Sequence, residues 1–317
     1  MSFLSLHGLA SAFLLLASGS AWSAYPDHAI RVVVPWPAGG SSDLIGRVFA
    51  EGLSKQLGVG VVVENRPGAN GVIGMSVVQR AAPDGYTLVG TVSEPLTINP
   101  AIMRTVPYDV ATQFEPLGLI ARTSFVMVAS SSFPAGDVQG TIALARQRPG
   151  VLTVGSYGIA DMFLASFEYE TGTRFLRVPY QGAAPAITAT IASQVDLTMV
   201  ASSTAQPVTD SLKLIAVGSA QRLPMFPQLR TFGEQGMPSF QIGNWAAVLA
   251  PSGLPAEVRA VLVPAIERVV ASEEFRARLA NGGIEAEHLA PESLARMIQE
   301  DAARWRNVVR GMNVPVQ

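Results

Sequence analysis

Apolar residues recur along this chain in two rhythms, one of strands and one of amphipathic helices. A β-branched run, Ile30–Val34, reads as a buried strand. Pro35-Trp36-Pro37-Ala38-Gly39-Gly40 continues neither strand nor helix and is predicted as a loop. Ser41, Ser42 and Asp43 supply N-cap chemistry. Leu44, Ile45, Val48, Phe49, Leu53 and Leu57 then mark roughly one face of a helix. This opening unit is a strand, a glycine turn and a helix start. Backbone N–H groups at a helix start attract anions, and two glycines let a ligand approach the backbone closely.

The alternation continues. Val59–Glu64 reads as a second strand, Val72–Ala82 as a helix, and Tyr86–Thr91 as a third strand after the Pro83-Asp84-Gly85 turn. Leu117–Ala129 is a long apolar stretch that leaves one domain for another. The pattern restarts there with helix Gly140–Gln147, strand Leu152–Ser156, loop Tyr157–Asp161 and helix Met162–Glu170. Strand Phe175–Val178, loop Pro179–Pro185, helix Ala186–Ala192 and strands Val195–Val200 and Leu214–Val217 follow. The Pro- and Gly-rich segment Leu223–Pro238 closes this unit, and Phe240–Leu249 crosses back. The block from Leu254 onward reads as helical, with no strand of its own. Alternation of this kind predicts an α/β fold with parallel sheets covered by helices on both faces. The expected domains are residues 24–123 plus 239–317, and residues 124–238.

Composition narrows the function. A chain of 317 residues is long enough for two cores. Charged residues are only 15%, and the formal net charge of −2 offers no basic face, so nucleic acid is not an expected partner. The chain has no Cys, which excludes disulfides, thiolate metal sites and a Cys nucleophile. Leu9–Ala17 is a short apolar core followed by small residues, with Ala21 and Ser23 at the −3 and −1 positions. Residues 1–23 are therefore expected to be a cleaved secretory signal peptide, although Met1–Gly8 lacks Lys and Arg, and the mature protein is expected in the periplasm.

Catalytic templates fail. The sequence has no G-x-S-x-G elbow, no H-E-x-x-H and no phosphate loop with its Lys. His28 and His288 sit in polar contexts, and no metal or cofactor is expected. What recurs is a strand, a loop rich in Gly, Ser, Ala or Pro, and a helix: Trp36–Asp43, Gly90–Asn99, Gly155–Asp161 and Pro179–Pro185. Any one is an ordinary connection; the set carries the argument. Open parallel sheets bind ligands beyond the carboxyl ends of their strands. The donors would be backbone N–H groups and the hydroxyls of Ser41, Ser93 and Ser156. No Lys or Arg lies in these loops, so an anion would rely on amides and helix starts.

Several motifs, in order, carry a family resemblance. They are VVPWPAGGSSD (Val33–Asp43), VVVENRPGANGVIG (Val61–Gly74), APDGYTL (Ala82–Leu88), RPGVLTVGS (Arg148–Ser156), VPYQGAAPAI (Val178–Ile187) and WAAVLAPSGLP (Trp245–Pro255). The chain resembles the periplasmic solute-binding proteins of tripartite tricarboxylate transporters, the Bug family, over nearly its whole mature length. The resemblance implies a two-domain, type II-like Venus-flytrap fold that closes on a small carboxylate in the cleft between its domains. Carried over residue by residue, it points to Ala38, Gly39, Gly40, Ser41 and Asp43, then Ser93, then Ser156, Gly158, Gly182 and Ala183. It also implies delivery of a small organic acid to membrane permease subunits; oligomerisation is not indicated, so a monomer is expected. A ligand-sensing module for a membrane signalling system and an enzyme on the same fold stay open as alternatives. An enzyme would need a nucleophile or cofactor lysine, and neither Lys55 nor Lys213 lies in a candidate loop.

The sequence departs from the family at the second-domain loop, usually G-S-x-G-x-G-[ST]-x-x-H-L and here Gly155-Ser156-Tyr157-Gly158-Ile159-Ala160-Asp161-Met162-Phe163-Leu164. Phe163 takes the His position, and Asp161 adds an acid. Asp161 is thus expected to favour a ligand bearing an amino or hydroxyl group, or to disfavour a second carboxylate; a capping role for the following helix is the competing reading.

Overall fold

The computed structural model describes residues 25–312, so the expected signal peptide lies outside the described residues. In chain order the first elements are β1 (Ile30–Val34), α1 (Ser41–Leu57), β2 (Val61–Asn65), α2 (Val72–Gln79), β3 (Thr87–Val92) and β4 (Phe114–Ser130). They are followed by α3 (Val138–Gln147), β5 (Thr153–Ser156), α4 (Gly158–Thr171), β6 (Leu176–Pro179), α5 (Ala183–Ile191), β7 (Leu197–Ala201) and β8 (Leu212–Val217). The chain ends with β9 (Gly243–Pro251), α6 (Ala256–Ala271), α7 (Glu273–Ala280), β10 (Glu285–Leu289) and α8 (Pro291–Met312).

The strands run in the order β2-β1-β3-β9-β4-β7-β5-β6, with β8 and β10 also on β4. β4 is the shared element. Its first part pairs antiparallel with β9, from Phe114 opposite Pro251 to Ser124 opposite Gly243. From Phe125 onward its partners are β7 and β8. The change of partner within one continuous strand makes two lobes. Within each lobe the central strands are parallel: β1 with β2 and β3, and β5 with β6 and β7. Parallel pairing brings the carboxyl ends of β1 and β3 to one edge, and those of β5 and β7 likewise.

The apolar alternation read from sequence divides cleanly between the two faces of the sheet. Ile30, Val32 and Val34 pack with Phe49, Leu53 and Ile266, whereas Val33 joins Met75, Val89 and Leu294. In the second lobe Phe125 and Met127 share a cluster with Phe163, Phe167, Phe232 and Phe240, and Val126 and Val128 face Ile187 and Val200. α8 spans both lobes: Leu294 and Ile298 lie in the first core and Trp305, Val308 and Val309 in the second.

Three expectations need correction. The C-terminal block does contain a strand, β10, which pairs antiparallel with β4 through Glu285 opposite Arg122 and Leu289 opposite Leu119. Its polar sequence, Glu-Ala-Glu-His-Leu, hides an edge strand held by ladder bonds and an Arg122–Glu287 ion pair of 2.6 Å. The loops Tyr157–Asp161 and Pro179–Pro185 are shorter than expected, because α4 starts at Gly158 and α5 at Ala183. The N-cap of α1 is Gly40, with no side-chain cap; Ser41 and Asp43 are already inside the helix.

The return crossing is tight at Gly218, just after β8. Its N–H donates to the Phe125 carbonyl at 2.8 Å and its carbonyl accepts from Ile242 N–H at 3.1 Å. A Cβ there would stand 2.3 Å from the Ile242 carbonyl oxygen. Gly218→Ala is expected to cost about 2–3 kcal/mol, the cost of overpacking against backbone that cannot rotate away. A urea titration reads this directly, and an unchanged midpoint contradicts it.

Candidate functional site

The first wall of the site is the loop between β1 and α1. The first helical bond is from Leu44 N–H to Gly40 carbonyl at 3.0 Å, so the amides of Ser41, Ser42 and Asp43 have no acceptor within the helix. They form the positive end of a 17-residue helix. Gly39 has φ +89°, a left-handed conformation in which glycine is unstrained. Ala38, Gly39, Gly40 and Ser41 are all exposed at this turn.

Asp43 shapes the loop rather than capping the helix. Its buried carboxylate accepts from Gly39 N–H at 2.9 Å, Arg47 Nε at 2.9 Å and Asn65 Nδ2 at 2.8 Å. Asn65 also donates to the Trp36 carbonyl at 3.0 Å. Burial pushes the Asp43 carboxyl up, but the bonds from Arg47, Gly39 and Asn65 outweigh it and bring it down to about 2. Asp43 therefore stays ionised and ties both ends of the glycine turn to α1 and β2.

The second wall comes from the start of α4, which follows β5; α5 starts after the neighbouring strand β6. Ser156 is buried at the end of β5, Tyr157 is the extended N-cap of α4, and Gly158 opens that helix with φ +41°. Gly182, with φ +132°, precedes α5, and Ala183 is its first residue. Asp161, in the first turn of α4, accepts from Arg177 Nε at 2.8 Å. Arg177 also donates to the fully buried Glu168 at 2.6 Å. The Asp161 carboxylate is thus engaged with an arginine of β6, and it caps no backbone amide in the hydrogen bonds described.

Between the walls, on the crossing strands, lies a cavity of about 190 Å³. Ser41 and Ile45 of α1, Val92 of β3 and Ile159 of α4 border it, with Ala201 at the end of β7. Its floor is Ala121, Thr123 and Phe125 of β4 and Asn244, Trp245 and Ala246 of β9. No charged side chain lines it; its polar groups are Ser41, Thr123 and Asn244. A larger cavity of about 820 Å³ shares Thr123, Asn244 and Trp245 with it and adds Arg122 and Ser124, among paired charges of β10 and α8. The smaller cavity is where helix starts from both lobes converge, and it is the candidate site. Among the described residues no group of three or more His, Asp or Glu is arranged to hold a metal ion.

Of the expected residues, Ser41 lines this cavity. Ser93 lines the larger one, and its hydroxyl is directed to Asn244 Oδ1 at 2.7 Å. Ala38, Gly39, Gly40, Asp43, Ser156, Gly158, Asp161, Gly182 and Ala183 line neither cavity. Sequence reading missed Thr123 and Asn244. Asn244 had a signal: it is one polar amide between Gly243 and the apolar run Trp245–Ala250.

No helix among the described residues is long and apolar enough to cross a membrane. A family profile described as "Tripartite tricarboxylate transporter family receptor" matches residues 45–314. Protein BugT of Bordetella pertussis is 30% identical over 292 residues, covering 90% of each chain. Two solved structures of Rhodopseudomonas palustris proteins are similar. Rpa4515 with adipate is 30% identical with a TM-score of 0.74, over 91% of this chain and 98% of its own. MatC with bound malate is 28% identical with a TM-score of 0.71, over 90% and 100%. Matched along most of its length, this chain belongs to the tripartite tricarboxylate transporter receptor family, the family of the Bug solute-binding proteins.

Proposed function

We propose that this protein is exported to the periplasm, captures a small carboxylate in the cleft between its lobes, and delivers it to the membrane permease subunits of a tripartite tricarboxylate transporter. The observation that carries this reading is the cavity at the crossing strands, flanked by the starts of α1 and α4 and free of charged side chains in its lining. Unpaired amides and the helix dipole hold a carboxylate there without a salt bridge, which keeps release cheap. The cavity is smaller than the roughly 300–1,000 Å³ typical of drug-sized ligands, which suits an acid of a few carbons. The adipate- and malate-bound relatives support the same ligand class.

On this reading Ala38, Gly39, Gly40 and Ser41 supply the carboxylate-binding turn, with Gly158, Gly182 and Ala183 closing from the other lobe. Asp43 and Ser156 hold the walls in place. The protein acts as a monomer without a cofactor, and binding is not followed by catalysis. A thermal-shift screen of mono-, di- and hydroxycarboxylates tests it, together with native mass spectrometry of the purified protein. A ligand present at 100 times its Kd is expected to stabilise the fold by about 2.7 kcal/mol. If no acid shifts the melting temperature and none co-purifies, the reading fails.

A further inference from the structure

We infer that Asn244 is a specificity-determining residue that donates its Nδ2–H to an oxygen at the end of the ligand remote from α1. The inference rests on the carboxylate reading above and deepens it by naming what the far end of the ligand carries.

Asn244 sits at the start of β9, opposite Thr123 of β4, where the chain crosses between lobes. Its orientation is decided by backbone. Ser93 N–H donates to Oδ1 at 3.2 Å, and Ser93 Oγ donates to the same atom at 2.7 Å. These two bonds use both lone pairs of the amide oxygen. On the other side Nδ2 donates to Glu94 Oε1 and Oε2, both at 3.0 Å. A flipped amide would set Nδ2 against the Ser93 N–H, donor to donor, and Oδ1 against the Glu94 carboxyl. This arrangement holds whether the Glu94 carboxyl is ionised or protonated, because the Ser93 N–H is a donor in either case.

An amide nitrogen has two hydrogens, and the Glu94 bonds account for one direction. Asn244 therefore has a donor and no acceptor to offer; it lines both cavities, and the smaller is the one bordered by the start of α1. Thr123 is the other polar group on this part of an otherwise apolar floor. A ligand seated with its carboxylate at Ser41 and the α1 amides brings its other end to Asn244. A hydroxyl, keto or second carboxylate oxygen there completes the donor. A methyl end leaves it without that partner, which costs binding. Glu94 is a positioning residue in this scheme: it acts through the amide and lines neither cavity.

The test uses linear acids of three to six carbons in matched pairs, one ending in a hydroxyl or carboxylate and one in a methyl, titrated by calorimetry. Wild type is expected to bind the oxygen-terminated member about tenfold or more tightly. Asn244→Ala is expected to bring the ratio close to one, whereas Glu94→Gln, which keeps an acceptor for Nδ2, retains it. Amide NMR of the wild type provides a second measurement that needs no folded variant: the Asn244 side-chain NH₂ signals shift with the oxygen-terminated acid and not with its partner. Equal affinities within the wild-type pairs, or an unchanged ratio in Asn244→Ala, overturn the inference while the carboxylate reading stands. Failure of every acid to bind wild type overturns that reading and this inference with it.

Discussion

Asp43→Ala is expected to weaken binding of the ligand's carboxylate by tenfold to a hundredfold while leaving the protein folded. The carboxylate of Asp43 touches the Gly39 amide, Arg47 and Asn65, so its removal releases the Gly39 end of the turn and leaves Asn65 to hold the Trp36 carbonyl alone. Charge-assisted hydrogen bonds of this kind contribute about 1.5–3 kcal/mol each. Here much of that serves to hold the binding turn in one conformation, so the loss appears as affinity. The same variant changes the acid response. A carboxyl whose folded pKa is lowered supports the fold above its ordinary value, and that support is lost as pH falls through the folded value. For Asp43 the window runs from 3.8 down to about 2. Wild type should lose stability across it through this group, and Asp43→Ala should lack that contribution. Calorimetric titration of a bound acid, and urea unfolding between pH 2 and pH 5, read the two effects separately. An Asp43→Ala protein with wild-type affinity would show that the turn is rigid without its central carboxylate.

The largest effect on stability is expected at Arg177. Its guanidinium joins Asp161 at 2.8 Å and Glu168 at 2.6 Å, and the Glu168 side chain is only 1% exposed. In Arg177→Ala the Glu168 carboxylate stays buried with the Phe175 N–H, at 2.7 Å, as its remaining described partner. Removing one member of a buried pair costs about 3–5 kcal/mol, because the other charge is left uncompensated. Replacing both, as in Arg177→Met with Glu168→Leu, should recover most of that loss, since two apolar side chains carry no such penalty. Urea denaturation of the three variants forms the test. A single-variant cost under about 1 kcal/mol, on the scale of exposed ion pairs, would show that Glu168 is hydrated in solution. The variant also separates two roles for Asp161. With Arg177 present, the aspartate is a structural partner of β6, so ligand selectivity should be insensitive to Asp161→Asn.

The sequence by itself determined the α/β class, the order of most elements, the glycine turn before α1 and the absence of familiar catalytic motifs. These are local matters: β-branched runs, turn residues and an apolar helix face speak through near neighbours. It also carried the family, because the matching motifs are spread along the chain in order. The tertiary structure decided what local pattern does not encode. β10 became a strand because β4 offered it an edge, against its own polar composition. Asp43 and Asp161, which both read as acids at a helix start, diverged through partners on other elements: Asn65 of β2 for one and Arg177 of β6 for the other. Ser93 turned its hydroxyl to Asn244, 151 residues away. The floor of the cavity, Thr123 and Asn244, arises where two crossing strands place residues of distant segments side by side. The glycine turn at the start of the chain is legible in sequence because its amides act alone; what those amides face is settled by packing.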